Sequence, residues 1–247
     1  MIRAILHLTI SPPLLDATAI DKCTMWTPAL FSLLAATALA QYGSNSTLGP
    51  DENGKYEIKA DGIRGLFIPY GASISNLFIK GKDGVERDIV LGFDNATAYE
   101  GEVHPHLGGV PGRYANRIKN SSFVIDGETF NILPNENNNN DTLHGGPNGW
   151  DYRNFTIVSH TADSITFSIV DPDGEQGFPG EVVSYITYTM TPNTWKIKIV
   201  AMATTKKTPI MLTSHVRLVH HILGRGTDLH RPTGIWTASR TRTRLLP

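Results

Sequence analysis

The sequence predicts an all-β protein, a large antiparallel β-sandwich, and three observations lead to this prediction. From Tyr56 onward the chain is a series of short runs rich in β-branched and aromatic residues. Turn-forming residues separate these runs at the spacing of hairpins. The sequence shows neither the apolar spacing of a long amphipathic helix nor an internal repeat. With 247 residues and 40% apolar content, the chain is long enough to form one domain around one core.

The N-terminal region predicts a secretory signal rather than part of the core. Residues 29–40 form a short apolar run that ends in Ala38-Leu39-Ala40, the small-residue pattern of a cleavage site. The run is too short to span a bilayer. A signal of this kind would begin at Met25, so we interpret residues 25–40 as the signal peptide and 1–24 as a spurious extension from a misplaced start. A buried core helix is the disfavoured alternative, because polar turn residues follow directly.

Asparagine placement agrees with export to the extracellular space. Five Asn-x-Ser/Thr triplets have no proline in the middle, although one or two matches are expected by chance in a chain this rich in asparagine. The only cysteine, Cys23, precedes the predicted signal peptide, so no disulfide is expected in the mature chain. We predict a secreted glycoprotein with glycosylation sites at Asn45, Asn95, Asn120, Asn140 and Asn154.

The strand prediction from Tyr56 onward rests on alternation and on turn chemistry. Trp195, Ile197 and Ile199 alternate with two lysines, as expected of a strand with one buried face. Asp126-Gly127 predicts a two-residue hairpin turn, and residues 191–194 predict a second turn between two longer strands. The predicted strands cover residues 73–79, 123–125, 129–133, 155–160, 164–170, 182–190 and 195–202.

Composition and motifs exclude several classes of function. The net charge of −1 and the pI of about 6.8 lack the concentrated positive surface that nucleic acids or polybasic membrane contacts require. The nucleophile elbow, the phosphate-binding loop and a cysteine suited to thiol chemistry are all missing from the sequence. His104-Pro105-His106 lacks a third ligand at a metal-binding spacing, so we interpret it as an exposed loop. Residues 171–175 lack EF-hand spacing and predict a β-turn.

Four polar motifs remain, and each one alone fits a purely structural role. The motifs are Gly112-Arg113-Tyr114-Ala115-Asn116-Arg117-Ile118, Leu143-His144-Gly145-Gly146, Asp173-Gly174-Glu175-Gln176-Gly177-Phe178-Pro179-Gly180 and Thr213-Ser214-His215. Together, their order and spacing resemble the aldose 1-epimerase (galactose mutarotase) family in its secreted fungal form, over residues 56–215.

The resemblance implies a mutarotase-type β-sandwich that interconverts the α and β anomers of free aldoses such as galactose or glucose, without cofactor or metal. It implies that His215 is the general acid for the ring oxygen and that His144 donates nearby. Ring opening needs such proton carriers, and the ordinary pKa of histidine near 6.5 suits the task. Asn116 and Arg117 match the sugar-contacting pair, in which a fixed fork of donors holds hydroxyls. The motif is equally compatible with Arg113 as the sugar-contacting arginine, but we favour Arg117.

The chain departs from the family pattern at Val216. After the histidine that His215 matches, family members continue with an aromatic residue, Asn-Leu and a long segment that carries a sugar-binding aspartate and a glutamate base. Residues 217–247 are instead rich in Arg, Thr and His, and contain one acidic residue, Asp228. We interpret this tail as translated in a wrong frame or through an intron, with residues 41–216 as an incomplete domain whose C-terminal part is missing. Low activity is therefore expected.

Other functions stay open beside a mutarotase of low activity. The chain is alternatively a non-catalytic carbohydrate-binding protein or the inactive product of a defective gene prediction. An epimerase of phosphorylated sugars is disfavoured, because secretion removes that substrate pool and the sequence has no basic cluster placed for a phosphate. In every enzymatic interpretation the expected partner is a small sugar, with no membrane contact after signal cleavage.

Overall fold

The structure is a computed structural model that describes residues 3–11, 48–101 and 106–218. Within these residues the chain forms strands and short 3-10 turns but no α-helix, which confirms the all-β prediction. The strands are β1 (Arg3–Ser11), β2 (Tyr56–Ala60), β3 (Ile63–Ile68), β4 (Ser73–Lys80), β5 (Glu86–Asp88), β6 (Arg117–Ile118), β7 (Ser122–Ile125), β8 (Glu128–Asn131), β9 (Thr142–Leu143), β10 (Thr156–His160), β11 (Ser164–Asp171), β12 (Val182–Thr191) and β13 (Thr194–Ala203). The 3-10 turns are Ala96–Glu100, Lys119–Ser121, Trp150–Tyr152 and Glu175–Gly177.

The larger sheet has five strands in the order β1-β13-β12-β11-β10. Strands β10 to β13 form an antiparallel meander, in which each strand pairs with its neighbour in sequence. The prediction for β13 is confirmed, because Trp195, Ile197 and Ile199 are buried whereas Lys196 and Lys198 are exposed. One face of this sheet is therefore apolar and needs a second layer to cover it.

The second layer is the four-stranded antiparallel sheet β2-β3-β4-β5. Five of its buried apolar residues belong to the same core cluster as those of β11 to β13: Ile58, Ile63, Phe67, Ile74 and Leu77. Phe67 on β3 stacks on Tyr188 of β12, with ring centroids 4.6 Å apart. The Tyr188 hydroxyl donates to the carbonyl oxygen of Ala72 at 2.8 Å, so its one polar atom is satisfied inside the core. Two sheets packed face to face around one core make the predicted β-sandwich.

Two small antiparallel pairs complete the described fold. The pair β7–β8 is the hairpin predicted at Asp126-Gly127, whose φ angles of 51° and 84° are the left-handed pair that a type I′ turn requires. The pair β6–β9 joins Arg117 to Leu143 and Ile118 to Thr142. This second pair brings two of the predicted motifs side by side.

The terminal regions are only partly described. Strand β1, which the sequence analysis did not foresee, pairs parallel with β13, with Arg3 opposite Thr194. The predicted signal peptide at 25–40, Asn45 and the tail beyond Leu218 lie outside the described residues. The boundaries 1–24, 25–40, 41–216 and 217–247 therefore stay predictions. The described part of the chain contains no helix with the length and apolar character needed to cross a membrane.

Candidate active site

Asn116 and His144 are fixed side by side at the end of the β6–β9 pair. The amide of His144 donates to the carbonyl oxygen of Asn116 at 3.1 Å. In return, the amide of Asn116 donates to Nδ1 of His144 at 2.9 Å. Both residues have left-handed backbone conformations, with φ angles of 69° and 54°. The structure thus brings together a predicted sugar-contacting residue and a predicted proton donor.

Neighbouring residues hold His144 in this position from both sides. Before it, the Asn135 side chain bonds twice to the backbone of Leu143, accepting from the amide at 2.7 Å and donating to the carbonyl oxygen at 3.0 Å. After it, Gly145 has a φ of +90°, and a Cβ atom there would lie 1.9 Å from the carbonyl oxygen of Gly112. Only glycine fits this close approach, so the Leu-His-Gly motif is a rigid backbone feature.

His215 is anchored to the loop at residues 108–109 by its own backbone. Its amide donates to the carbonyl oxygen of Gly109 at 2.8 Å, and its carbonyl oxygen accepts from the amide of Gly108 at 2.8 Å. Gly108 in turn lies against β4, where a Cβ atom on it would be 1.9 Å from the carbonyl oxygen of Ile74. The loop therefore connects His215 to the core sheet. His106 lies two residues before Gly108, the first loop residue that bonds to His215.

Three imidazoles meet at this point, and we call His106, His144 and His215 the histidine cluster. The ring centroids of His144 and His215 are 5.5 Å apart, which agrees with the sequence-based expectation that both serve one site. The ring of His106 lies 4.9 Å from that of His144 and 5.8 Å from that of His215. The interpretation of His106 as part of an exposed loop was wrong, because its side chain is only 20% exposed and packs into the cluster.

A buried carboxylate, also missed by the sequence analysis, supports the third histidine. Asp151 is fully buried on the 3-10 turn Trp150–Tyr152, and its Oδ2 contacts Nδ1 of His106. The ring of Tyr152 meets the ring of His106 edge to face, with centroids 5.4 Å apart. The only sequence signal for this contact was the ligand-type pattern His104-Pro105-His106, of which residue 104 lies outside the described residues.

The surroundings of His144 and His215 favour their neutral imidazoles. Burial and, second to it, the like charge of the neighbouring His106 together lower the pKa of His144 to about 4. Burial likewise lowers the pKa of His215, again with a contribution from His106. Because Nδ1 of His144 accepts the Asn116 amide, the neutral ring carries its proton on Nε2. His144 is thus set up as a hydrogen-bond donor, in line with its predicted role.

The two arginines of the Gly-Arg-Tyr-Ala-Asn-Arg motif have different surroundings. Arg117 is 54% exposed and forms a two-pronged ion pair with Glu136, with Nη2 to Oε1 at 2.7 Å. It is near enough to the cluster to lower the pKa of His144. Arg113 is buried and pairs with the buried Asp171 at 2.8 Å. The preference for Arg117 as the ligand-facing residue agrees with this placement, since the Arg113 side chain is buried and already paired with Asp171.

The remaining predicted features have these positions. Residues 171–175 form the predicted turn, which ends in the 3-10 turn Glu175–Gly177 and is closed by the amide of Gly174 donating to the carbonyl oxygen of Phe178 at 2.8 Å. Over residues 48–101 and 106–218, no three His, Cys, Asp or Glu side chains are grouped so as to hold a metal ion. Four of the five glycosylation candidates are exposed in the described residues: Asn95, Asn120, Asn140 and Asn154.

Comparison with known proteins points to one family. The sequence model described as "Aldose 1-epimerase" matches residues 54–223. Over 174 residues the chain is 39% identical to "Probable aldose 1-epimerase" of Arthroderma benhamiae, a match that covers 65% of this chain and 39% of that protein. Over 163 residues it is 35% identical to human "Galactose mutarotase", covering 65% of this chain and 46% of that protein.

A solved structure supports the same fold. The chain superimposes on the GalM/aldose epimerase homologue from C. elegans with a TM-score of 0.63 and 35% sequence identity, over 67% of this chain and 50% of that one. The matches thus span between about two fifths and one half of the length of these relatives. Strands β2 to β13 and the histidine cluster lie within the matched region.

Proposed function

Since this chain belongs to the aldose 1-epimerase family, we propose that it interconverts the α and β anomers of free aldohexoses such as galactose or glucose. The observation that carries the proposal is the convergence of His144 and His215, with ring centroids 5.5 Å apart beside Asn116. Sugar isomerisation of this kind needs proton carriers on a short path, and the cluster supplies them. No redox step or leaving group is required.

The reaction consists of two proton transfers and one bond cleavage. When the bond between C1 and the ring oxygen breaks, the anomeric hydroxyl gives its proton to a general base, the electron pair of that O–H bond forms the aldehyde carbonyl at C1, and the ring oxygen takes a proton. His215 donates that proton, and His144 donates a hydrogen bond through Nε2 nearby. The open chain then rotates about the C1–C2 bond, and the same steps in reverse close the ring on the other face of C1.

Substrate positioning falls to Asn116 and Arg117 at the exposed side of the cluster. Asn116 is held in a left-handed conformation and Arg117 by Glu136, so neither group has to be ordered from a fully free state when a sugar binds. Their donors suit vicinal hydroxyl groups, whereas a single exposed guanidinium already paired with a carboxylate is a poor phosphate site. This favours a free sugar over a sugar phosphate.

We also propose that the protein is exported and glycosylated. The support is the exposure of Asn95, Asn120, Asn140 and Asn154, since a glycan can only be carried by a side chain that reaches solvent. Removal of N-glycans from material secreted by a eukaryotic host should lower the mass by whole glycan units. Material that stays inside the cell at the mass of the bare chain would contradict this part of the proposal.

Polarimetry of freshly dissolved α-glucose and α-galactose tests the catalytic proposal. We expect a slow but saturable acceleration over the spontaneous rate, which His215→Ala abolishes. The control is Lys207→Ala, which removes an exposed lysine that pairs with Asp126 at the turn of the β7–β8 hairpin and leaves every cluster residue in place. The low activity expected from the tail stays a prediction that the same measurement tests. Sugar binding without any acceleration would favour the carbohydrate-binding alternative and refute the catalytic one.

A further inference from the structure

The guanidinium of Arg117 is already bound to a carboxylate before any sugar is present. Its Nη2 donates to Oε1 of Glu136 at 2.7 Å and its Nε donates to Oε2, so both oxygens of this carboxylate are engaged. Within the described residues Nη1 has no hydrogen-bond acceptor, and its two hydrogens therefore remain for a ligand. The ion pair thus decides which donors of Arg117 a sugar can use.

The position of Glu136 is set by a closed loop before β9. Its amide donates to the carbonyl oxygen of Asp141 at 3.0 Å, and the amide of Asp141 donates back to the carbonyl oxygen of Glu136 at 3.1 Å. Between them the asparagines 137–139 turn the chain with left-handed φ angles of 52°, 56° and 60°. The side chain of the preceding Asn135 bonds to both polar backbone groups of Leu143. The loop therefore fixes the Glu136 carboxylate to the same β6–β9 pair that carries the candidate site.

The ion pair lies close enough to the histidine cluster for its charges to act there. The pKa of Glu136 is lowered chiefly by the hydrogen bond from Arg117, and His144 is a lesser cause. The pKa of His144 is lowered chiefly by burial, and Arg117 is a lesser cause. Arg217, another cation near the cluster, is a lesser cause, after burial, of the lowered pKa of His215. Since Glu136 is ionised at neutral pH, its charge and that of Arg117 cancel on the His144 side of the cluster.

Resting on the function proposed above, we propose that Glu136 is a specificity-determining residue, which positions Arg117 as a hydrogen-bond donor while it cancels the charge of that guanidinium. A neutral aldose gains the hydrogen bonds of Nη1 in full. An aldose with a carboxylate or phosphate group must give up the strong hydration of that group, and the paired guanidinium supplies no excess positive charge to offset this cost. Glu136 therefore separates galactose from galacturonate, two sugars that differ only at C6.

Substitutions of the two partners should change the sugar preference in opposite directions. Glu136→Gln keeps the shape and removes the negative charge, so the ratio of kcat/KM for galacturonate to that for galactose should rise about three- to tenfold. Arg117→Gln leaves the carboxylate unpaired, and the same ratio should fall because like charges repel. Both changes should shrink in about 0.5 M NaCl, since exposed charges are screened. Arg217 is present in every variant, so its attraction for an anion cancels in the comparison.

Galactose alone tests the positioning role of Glu136. In Glu136→Gln the Arg117 side chain has to be ordered when the sugar binds, so KM should rise about two- to tenfold while kcat changes less than about twofold. The matched control is Glu86→Gln, which removes a carboxylate from another exposed arginine pair, with Nη2 of Arg64 and Oε2 of Glu86 at 2.8 Å. This control should change neither KM nor the preference between the two sugars, because it leaves every residue of the candidate site in place.

Binding measured without turnover separates this inference from the function on which it rests. The backbone amide signal of Asn116, followed by NMR during titration with galactose or galacturonate, gives both affinities whether or not the sugar is isomerised. If the unaltered protein accelerates no aldose, the proposed function fails, and the ratio of these affinities then decides the inference alone. A ratio that is unchanged in Glu136→Gln, a change of the same sign in Glu136→Gln and Arg117→Gln, or binding of neither sugar to any of the three proteins would overturn it.

Discussion

Arg113 is expected to be the most costly side chain to remove from this sandwich, although it lies three residues from Asn116, the predicted sugar-contacting residue. Its guanidinium donates to Asp171 Oδ2 at 2.8 Å and to Thr208 at 3.2 Å. Four backbone carbonyl oxygens accept from it as well, at distances between 2.6 and 3.2 Å: those of Asp171, Pro172, Pro179 and Gly180. The perturbation we consider is Arg113→Met, which keeps an apolar stem and removes every donor.

The magnitude follows from what the substitution leaves behind. Removing one partner of a buried ion pair typically costs about 3–5 kcal/mol, because the other charge stays buried. Here Arg153 still contacts Oδ1 of Asp171, which points to the lower end of that range. Each buried carbonyl without its donor adds about 1–3 kcal/mol before relaxation. The lower ends of these ranges amount to about 7 kcal/mol, and relaxation of the carbonyls toward other donors or water removes part of it. We therefore expect a loss of about 5 kcal/mol, comparable with the whole stability of many domains.

Urea unfolding followed by tryptophan fluorescence measures this loss, since Trp150 and Trp195 are both buried in the core. For a slope of about 2 kcal/mol per molar urea, the midpoint should fall by about 2–3 M. If Arg113→Met does not fold at all, Arg153→Met provides a milder test, because it removes the partially exposed partner of the same Asp171. Lys207→Met is the matched exposed control and should unfold like the unaltered protein.

The urea midpoint should therefore be lowest for Arg113→Met, intermediate for Arg153→Met and highest for Lys207→Met. An Arg113→Met protein that loses less than about 1 kcal/mol would refute the reasoning. It would mean that the interactions of the guanidinium stabilise the fold by little more than the free energy that its desolvation costs.

Three further predictions concern the core and the site. Because the pKa of His144 is lowered to about 4 from 6.5, the unfolded chain binds more protons in that window, and the free energy of unfolding should fall as pH decreases from about 6.5 to 4. Urea midpoints should show a smaller fall in His144→Gln, and equal falls would contradict the assignment. Gly145→Ala combines a φ of +90° with a clash against Gly112, so it should lower the thermal midpoint far more than Gly127→Ala, which has a similar φ of +84° but open space around it. Equal effects would show that the close approach is not rigid. Phe67→Ala, at the stacked ring between the sheets, should cost about 3–5 kcal/mol by urea unfolding, against a change near zero for Val124→Ala on the exposed hairpin. If Phe67→Ala lowers the free energy of unfolding by less than about 1 kcal/mol, Phe67 does not lie in the core as described.

Local sequence patterns were sufficient for most of the strands and for the choice of motifs. The alternation of Trp195, Ile197 and Ile199 with lysines predicts which face of the strand is buried. Asp126-Gly127 predicts the hairpin turn in the same way, because both patterns act over only a few residues. Strand β1 shows where this approach fails, since an edge strand that joins parallel is specified by its distant partner β13 and not by a neighbouring turn.

The candidate site divides in the same way. The sequence by itself was enough to select His144, His215, Asn116 and Arg117 as candidates, because their motifs carry a family resemblance. Only the tertiary structure decided that Arg113 faces the interior and that His106 meets Asp151, 45 positions away. The physical reason is that these contacts form between loops whose mutual positions depend on how two sheets pack. No periodicity or turn rule acts over that distance.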